Sequence, residues 1–86
     1  MFTSYNGTLV EGSASLVTSV ANAEIIPTGN TYVNFTFQAD QICHIFVNGS
    51  ANAIYLRASQ IVSLDKVSSL KIQEGAITFS WIGTRF

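Results

Sequence analysis

Cys43 and His44 are the only cysteine and the only histidine of the chain, and they are adjacent. A thiol beside an imidazole is the pairing that makes a sulfur nucleophile, because the ring accepts the thiol proton. The flanking segment ICHIFV at 42–47 reads as a strand, however, and successive side chains of a strand leave it on opposite faces. His44 then shares a face with Ile42 and Phe46, and Cys43 with Ile45 and Val47, so the two cannot meet within one chain. Both faces are apolar, which predicts a central strand covered on both sides and structural roles for both residues. With one cysteine an internal disulfide is impossible, and with one histidine a Cys/His zinc site would need ligands from more than one chain. The sequence thus predicts neither metal nor cofactor.

The five carboxylates, Glu11, Glu24, Asp40, Asp65 and Glu74, fall mostly at predicted turns or element ends, where carboxylates are ordinarily solvated. A glycosidase needs two of them facing each other across a cleft, about 5 to 10 Å apart, and nothing in the spacing marks such a pair. Alternating-Asp metal loops, phosphate-binding glycine loops and the serine-nucleophile elbow are absent from the sequence. No catalytic residue is predicted, and the chain is not expected to be an enzyme. The aromatic residues carry more. Tyr32 lies on the polar side of its predicted strand, and Tyr55 alternates in phase with Ala53 and Arg57, so Tyr32, Tyr55 and Arg57 are candidates for an exposed platform. Tyr beside Arg is the composition of a binding hot spot and suits stacking of a sugar ring; the alternative is cross-strand packing that supports the sheet.

These residues have to be positioned by strands. TYVNFTFQ at 31–38 alternates with period two, placing Val33, Phe35 and Phe37 on one face and Tyr32, Asn34, Thr36 and Gln38 on the other. An earlier strand is expected within 14–26, where β-branched Val17, Thr18 and Val20 outweigh a helix-like spacing of apolar residues. It ends at a turn with Pro27 in second and Gly29 in fourth position. ICHIFV and AIYLRA (53–58) form a hairpin around the loop NGSAN, with Asn48 and Gly49 taking up positive φ. A strand at about 60–64 then leads through Asp65 and Lys66 to VSSLKI (67–72), which the turn QEG (73–75) joins to AITFSWI (76–82) as a second hairpin. About seven or eight short strands predict an all-β fold, a single small antiparallel β-sandwich or barrel spanning residues 1–86, with 1–12 as an extended attachment arm.

A domain of 86 residues buries only about 60 to 65% of the surface its unfolded chain exposes, so its core is marginal. With disulfide and metal excluded, oligomerisation is the remaining supplement. Only 10% of residues are charged while 48% are hydrophobic, so the surface is weakly guarded and covered chiefly by Ser, Thr, Asn and Gln. The net charge of −1 and the scattered Arg57, Lys66, Lys71 and Arg85 argue against nucleic acid as a partner. No stretch approaches a membrane span, and MFTSYNGT lacks the basic start and apolar run of a signal peptide, which predicts synthesis in the cytoplasm. The glycosylation-type sequons at Asn6, Asn34 and Asn48 therefore carry no weight.

The runs 42–60 and 67–83 resemble a group of small proteins encoded by bacteriophages and prophages of Gram-positive bacteria. The residues that carry the resemblance are Cys43 and His44, the loop Asn48–Gly49–Ser50, the strand Tyr55–Leu56–Arg57–Ala58, and the closing Trp81–Ile82–Gly83. They cover about half of the chain, all of it C-terminal. The resemblance implies an accessory part of the virion, made in the host cytoplasm and attached to capsid or tail proteins, and it transfers no catalytic residue. Together with the marginal core it leads to the expectation of a homo-oligomer, a trimer, that decorates the capsid or tail, with Phe2, Tyr5 and the small-residue stretch 12–15 helping to dock it. The alternative is a carbohydrate-binding module that recognises a host cell-wall glycan through Tyr32, Tyr55 and Arg57.

Overall fold

The computed structural model describes residues 9–13 and 15–86. These form eight strands and no helix: β1 (Val10–Gly12), β2 (Val17–Thr18), β3 (Tyr32–Ala39), β4 (Cys43–Val47), β5 (Ile54–Leu56), β6 (Ile61–Val67), β7 (Leu70–Ile72) and β8 (Thr78–Arg85). They build two antiparallel sheets packed as a sandwich. In the first, β1 and β2 lie along one edge of β8, followed by β3 and β6; the second runs β5, β4, β7. The all-β sandwich expected from the sequence is therefore the fold, without closure into a barrel.

The inner faces supply the core. Tyr32, Phe35, Phe37, Val67 and Phe79 come from the first sheet, and Cys43, Ile45, Leu56, Leu70 and Ile72 from the second, all buried. Full burial of each large apolar side chain stabilises the fold by about 1.5–3 kcal/mol. The ring of Phe35 stacks on Trp81 at 5.4 Å between centroids, and Tyr32 meets Trp81 edge-on at 5.1 Å. Gly83 makes room for this cluster, since a Cβ there would lie 3.0 Å from Phe35 Cδ1 and 3.1 Å from Tyr32 Cβ.

Strict alternation along β3 assigned Tyr32 to the outer face, and the structure corrects this. Asn34 adopts φ 51°, in the left-handed region that Asn tolerates better than most residues. Between Val33, opposite Thr84, and Thr36, opposite Ile82, β3 gains one residue on β8. This bulge turns Tyr32 into phase with Phe35 and Phe37. The neighbouring β6 follows the same change of phase: Val62 and Leu64 oppose Phe37 and Phe35, and buried Val67 opposes Tyr32.

The connections differ from expectation in four places. The β4–β5 hairpin forms, and Asn48 and Gly49 take the positive φ predicted for them, 53° and 75°. β7, however, pairs with β4 and β8 with β3, so 73–77 is a crossover between sheets and no hairpin joins β7 to β8. Asp65 and Lys66 lie inside β6, which ends at Val67; just beyond it the Asn48 side chain accepts the Ser68 N–H and donates to the Lys66 carbonyl. Pro27 occupies the first position of its turn, its carbonyl accepting the Asn30 N–H, and Gly29 the third, at φ 82°. The expected strand within 14–26 shrinks to β2, after which 22–26 runs beside β7 through Asn22 N–H to Ile72 O and Ile25 N–H to Leu70 O.

Ser19 and Glu24 hold these irregular stretches. Ser19 Oγ donates to the Glu74 carbonyl at 2.8 Å and accepts the Ile77 N–H at 2.9 Å, tying the crossover to the segment after β2. Glu24 accepts the N–H groups of Ile26 and Leu70 and the Ser69 hydroxyl. Backbone polar groups that leave a ladder need such partners, because an unpaired buried donor is costly.

Candidate functional site

The outer face of the second sheet carries the polar and aromatic residues that could meet a ligand. β4 is central in its sheet but covered on one side only: Cys43 and Ile45 are buried, whereas His44 and Phe46 are half-exposed and Ile42 is exposed. The expectation of cover on both faces therefore fails. Lone apolar side chains on an open sheet face gave the impression of burial, since the sequence does not show which layer stops there.

The β4–β5 register sets Tyr55 directly opposite His44, on the same outer face. Their rings meet edge to face at 5.6 Å, which braces the exposed Tyr55 ring. His44 is fixed in turn by Glu74 from the crossover: Nδ1 lies 2.6 Å from Glu74 Oε2, and the His44 N–H donates to Glu74 Oε1 at 2.8 Å. Burial raises the Glu74 pKa, but the backbone and ring hydrogen bonds from His44 outweigh it and hold the carboxyl below its ordinary range. A carboxylate that orients an imidazole is two parts of a nucleophile-activating triad. Among the described residues no hydroxyl or thiol completes it: Cys43 points into the core, as expected, and burial pushes its thiol pKa up.

Beyond Tyr55 the chain forms a tight loop. The Gln60 N–H donates to the Arg57 carbonyl and the Gln60 side-chain oxygen accepts the Arg57 N–H at 2.9 Å. The Ser59 N–H reaches the Ala39 carbonyl at 2.7 Å, and Gln38 Nε2 donates to the Ser59 carbonyl at 2.9 Å. These bonds hold Ser59 at φ 64°. Tyr55, Arg57, Ala58, Ser59 and Gln60 together line an open depression of about 550 Å³.

Of the three residues proposed for a platform, Tyr55 and Arg57 are brought together and exposed, while Tyr32 is separated from them. It is buried in the core, and its hydroxyl donates to Glu11 Oε1 at 2.6 Å and accepts from Asn30 Nδ2 at 3.2 Å. Arg85 closes this network with an ion pair to Glu11 Oε2 at 2.8 Å. Phe2 and Tyr5, the proposed docking residues, lie outside the described residues, as does most of the proposed arm. The reading from sequence missed His44, Glu74, Ser59 and Gln60 as neighbours of Tyr55. The facing of His44 by Tyr55 was out of reach as well, because a five-residue loop at 48–52 would set Tyr55 opposite Ile45, one residue away from the observed register.

A second exposed surface is the outer face of the first sheet. Cross-strand rows place Ile61, Gln38 and Ser80 side by side, then Ser63, Thr36 and Ile82, then Lys66, Val33 and Thr84. Ile61 is 63% and Ile82 53% exposed, and Lys66 is the single charge in these rows. The chain matches no protein-family model, no characterised protein and no solved structure.

Proposed function

We propose that the chain is a non-catalytic structural subunit that assembles with copies of itself and fixes to the surface of a larger particle. The particle implied by the sequence resemblance is a phage virion, at its head or tail. The observation that carries the assembly reading is the outer face of the first sheet, where two exposed isoleucines stand among Ser, Thr and Gln side chains and the charges, Asp65 and Lys66, are confined to the β6 margin. Such a face can be dehydrated against another protein surface without burying an unpaired charge, which is the costliest part of forming an interface.

The contact is made by the face and not by the edge. Among the described residues the longest open edge is β6, and it carries Asp65 and Lys66 in succession, a placement that discourages open-ended strand pairing. The surface as a whole was expected to be weakly guarded, yet two of the nine charges of the chain stand on this edge.

The variant Ile61→Asp/Ile82→Asp tests this reading by sedimentation velocity beside the unmodified chain. Both side chains are exposed, so the fold should survive, as checked by circular dichroism, and self-association should be lost. Identical sedimentation of the two proteins would refute assembly through this face.

A further inference from the structure

We infer that the depression formed by Tyr55 and the loop Arg57–Gln60 is a recognition site for an acidic polysaccharide, one whose sugar or polyol units carry carboxylate or phosphate groups. This inference rests on observations other than those for assembly: the site is built from Tyr55 on β5 and from the connection that carries the chain from β5 to β6, and its ligand is read there by side chains that the contact face does not use.

The lining residues decide the polarity of the ligand. Tyr55, Arg57, Ser59 and Gln60 bring donors, and no acidic side chain lines the depression. The Gln60 side-chain oxygen is already occupied by the Arg57 N–H, so its amide group is left to donate outward. Arg85 is paired with Glu11 and Lys66 lies 4.3 Å from the centre of the Phe86 ring, whereas Arg57 has neither carboxylate nor aromatic partner among the described residues. A guanidinium with an unused fork beside further donors fits an oxyanion, which it can take in two parallel hydrogen bonds.

The shape decides the size of the ligand. An open depression cannot bury most of a small molecule, as a pocket for such a ligand does. It suits a chain that lays one unit on the Tyr55 ring and directs an acid group to Arg57. Preorganisation supports recognition as well. Four hydrogen bonds lock the loop with Ser59 in a left-handed conformation that a non-glycine residue adopts at a cost, and the Tyr55 ring is braced by His44. Nucleic acid is also anionic, but its binding depends on many cations in register, and this site offers one on a chain of net charge −1.

The test is titration of the full ¹⁵N-labelled chain, followed by amide chemical shifts, with hexagalacturonate and poly(glycerol phosphate) as carboxylate and phosphate probes. Galactohexaose serves as the neutral probe and a dT oligomer as the nucleic-acid probe. At least one acidic probe should shift the amides of Tyr55–Gln60, and Arg57→Gln and Tyr55→Ala should each weaken it by about tenfold or more. Both side chains are exposed, so both variants keep the fold, which their unperturbed core amides verify. Binding of neither acidic probe, equal binding of galactohexaose, preference for the dT oligomer, or indifference to Arg57→Gln each overturns the inference.

Discussion

Replacing Tyr32 by Phe removes one oxygen atom and tests how the buried polar network is built. The hydroxyl donates to Glu11 at 2.6 Å, and the same carboxylate holds Arg85 at 2.8 Å. A hydrogen bond to a charged group contributes about 1.5–3 kcal/mol net. Phe retains the ring contacts with Trp81 and Phe35, so packing adds little to the loss. The Glu11 side chain is 29% exposed and can take up water at the vacated position, which favours the lower half of that range. The expected loss is therefore about 1.5–2 kcal/mol, which for a domain of this size lowers Tm by roughly 6–16 °C. Urea unfolding followed by circular dichroism measures it, and the double mutant with Glu11→Gln should show a coupling of about 1 kcal/mol. A loss under about 0.5 kcal/mol, or strict additivity with Glu11→Gln, would refute the network. The same residue sets an alkaline limit. Burial first, and then the bond to Glu11, raise the Tyr32 pKa, so the folded state holds this proton more tightly than the unfolded chain, whose tyrosines ionise near about pH 10. The stability involved is complete below that pH and is lost as pH rises through the folded pKa, and Tyr32→Phe should flatten this decline.

Three further outcomes follow from other parts of the fold. In Gly12→Ala a Cβ would lie 2.5 Å from the Trp81 carbonyl oxygen, forcing β1 away from β8; thermal unfolding should show a loss of about 1–3 kcal/mol. Glu24 and Glu74 both have lowered pKa values, because hydrogen bonds from Ser69, Leu70, Ile26 and Ile25 in one case and from His44 in the other outweigh the opposing effect of burial. Their stabilisation is present above the unfolded value near about 4.3 and lost as pH falls through the folded values, so urea midpoints of Glu24→Gln/Glu74→Gln should vary less between neutral and acid pH. Cys43 is buried with a raised pKa, and a thiol reagent should label it only at the rate of unfolding; rapid labelling of the native chain would contradict its place in the core.

The sandwich was legible because period two governs most of β3, β4 and β8, and because Asn48 and Gly49 mark a turn by their conformational preferences. The errors share one cause. Alternation is a local rule, and a single bulge at Asn34 inverts it for everything on the far side, which is why Tyr32 was assigned to the surface. Strand partners are likewise set by which sheet can cover an apolar face, so apposed β7 and β8 segments read as a hairpin although they belong to different layers. Of the candidate site, Tyr55 and Arg57 were legible from their shared phase. The contribution of Glu74 was not, since it reaches His44 from a crossover thirty residues away in sequence. The loop at Ser59 was hidden for a different reason: its left-handed backbone is imposed by bonds from β3 and Gln60, and serine carries no preference that announces it.

The central claim is that this small sandwich works by contact between copies across a sheet face whose charges are confined to its β6 margin. The mass of the purified, unmodified chain in solution, by light scattering behind a sizing column at two well-separated concentrations, tests it most directly. A mass that is a multiple of 9.3 kDa at both concentrations is the predicted result. A mass of 9.3 kDa at both would contradict the claim, since the face would then remain open to water in the isolated protein.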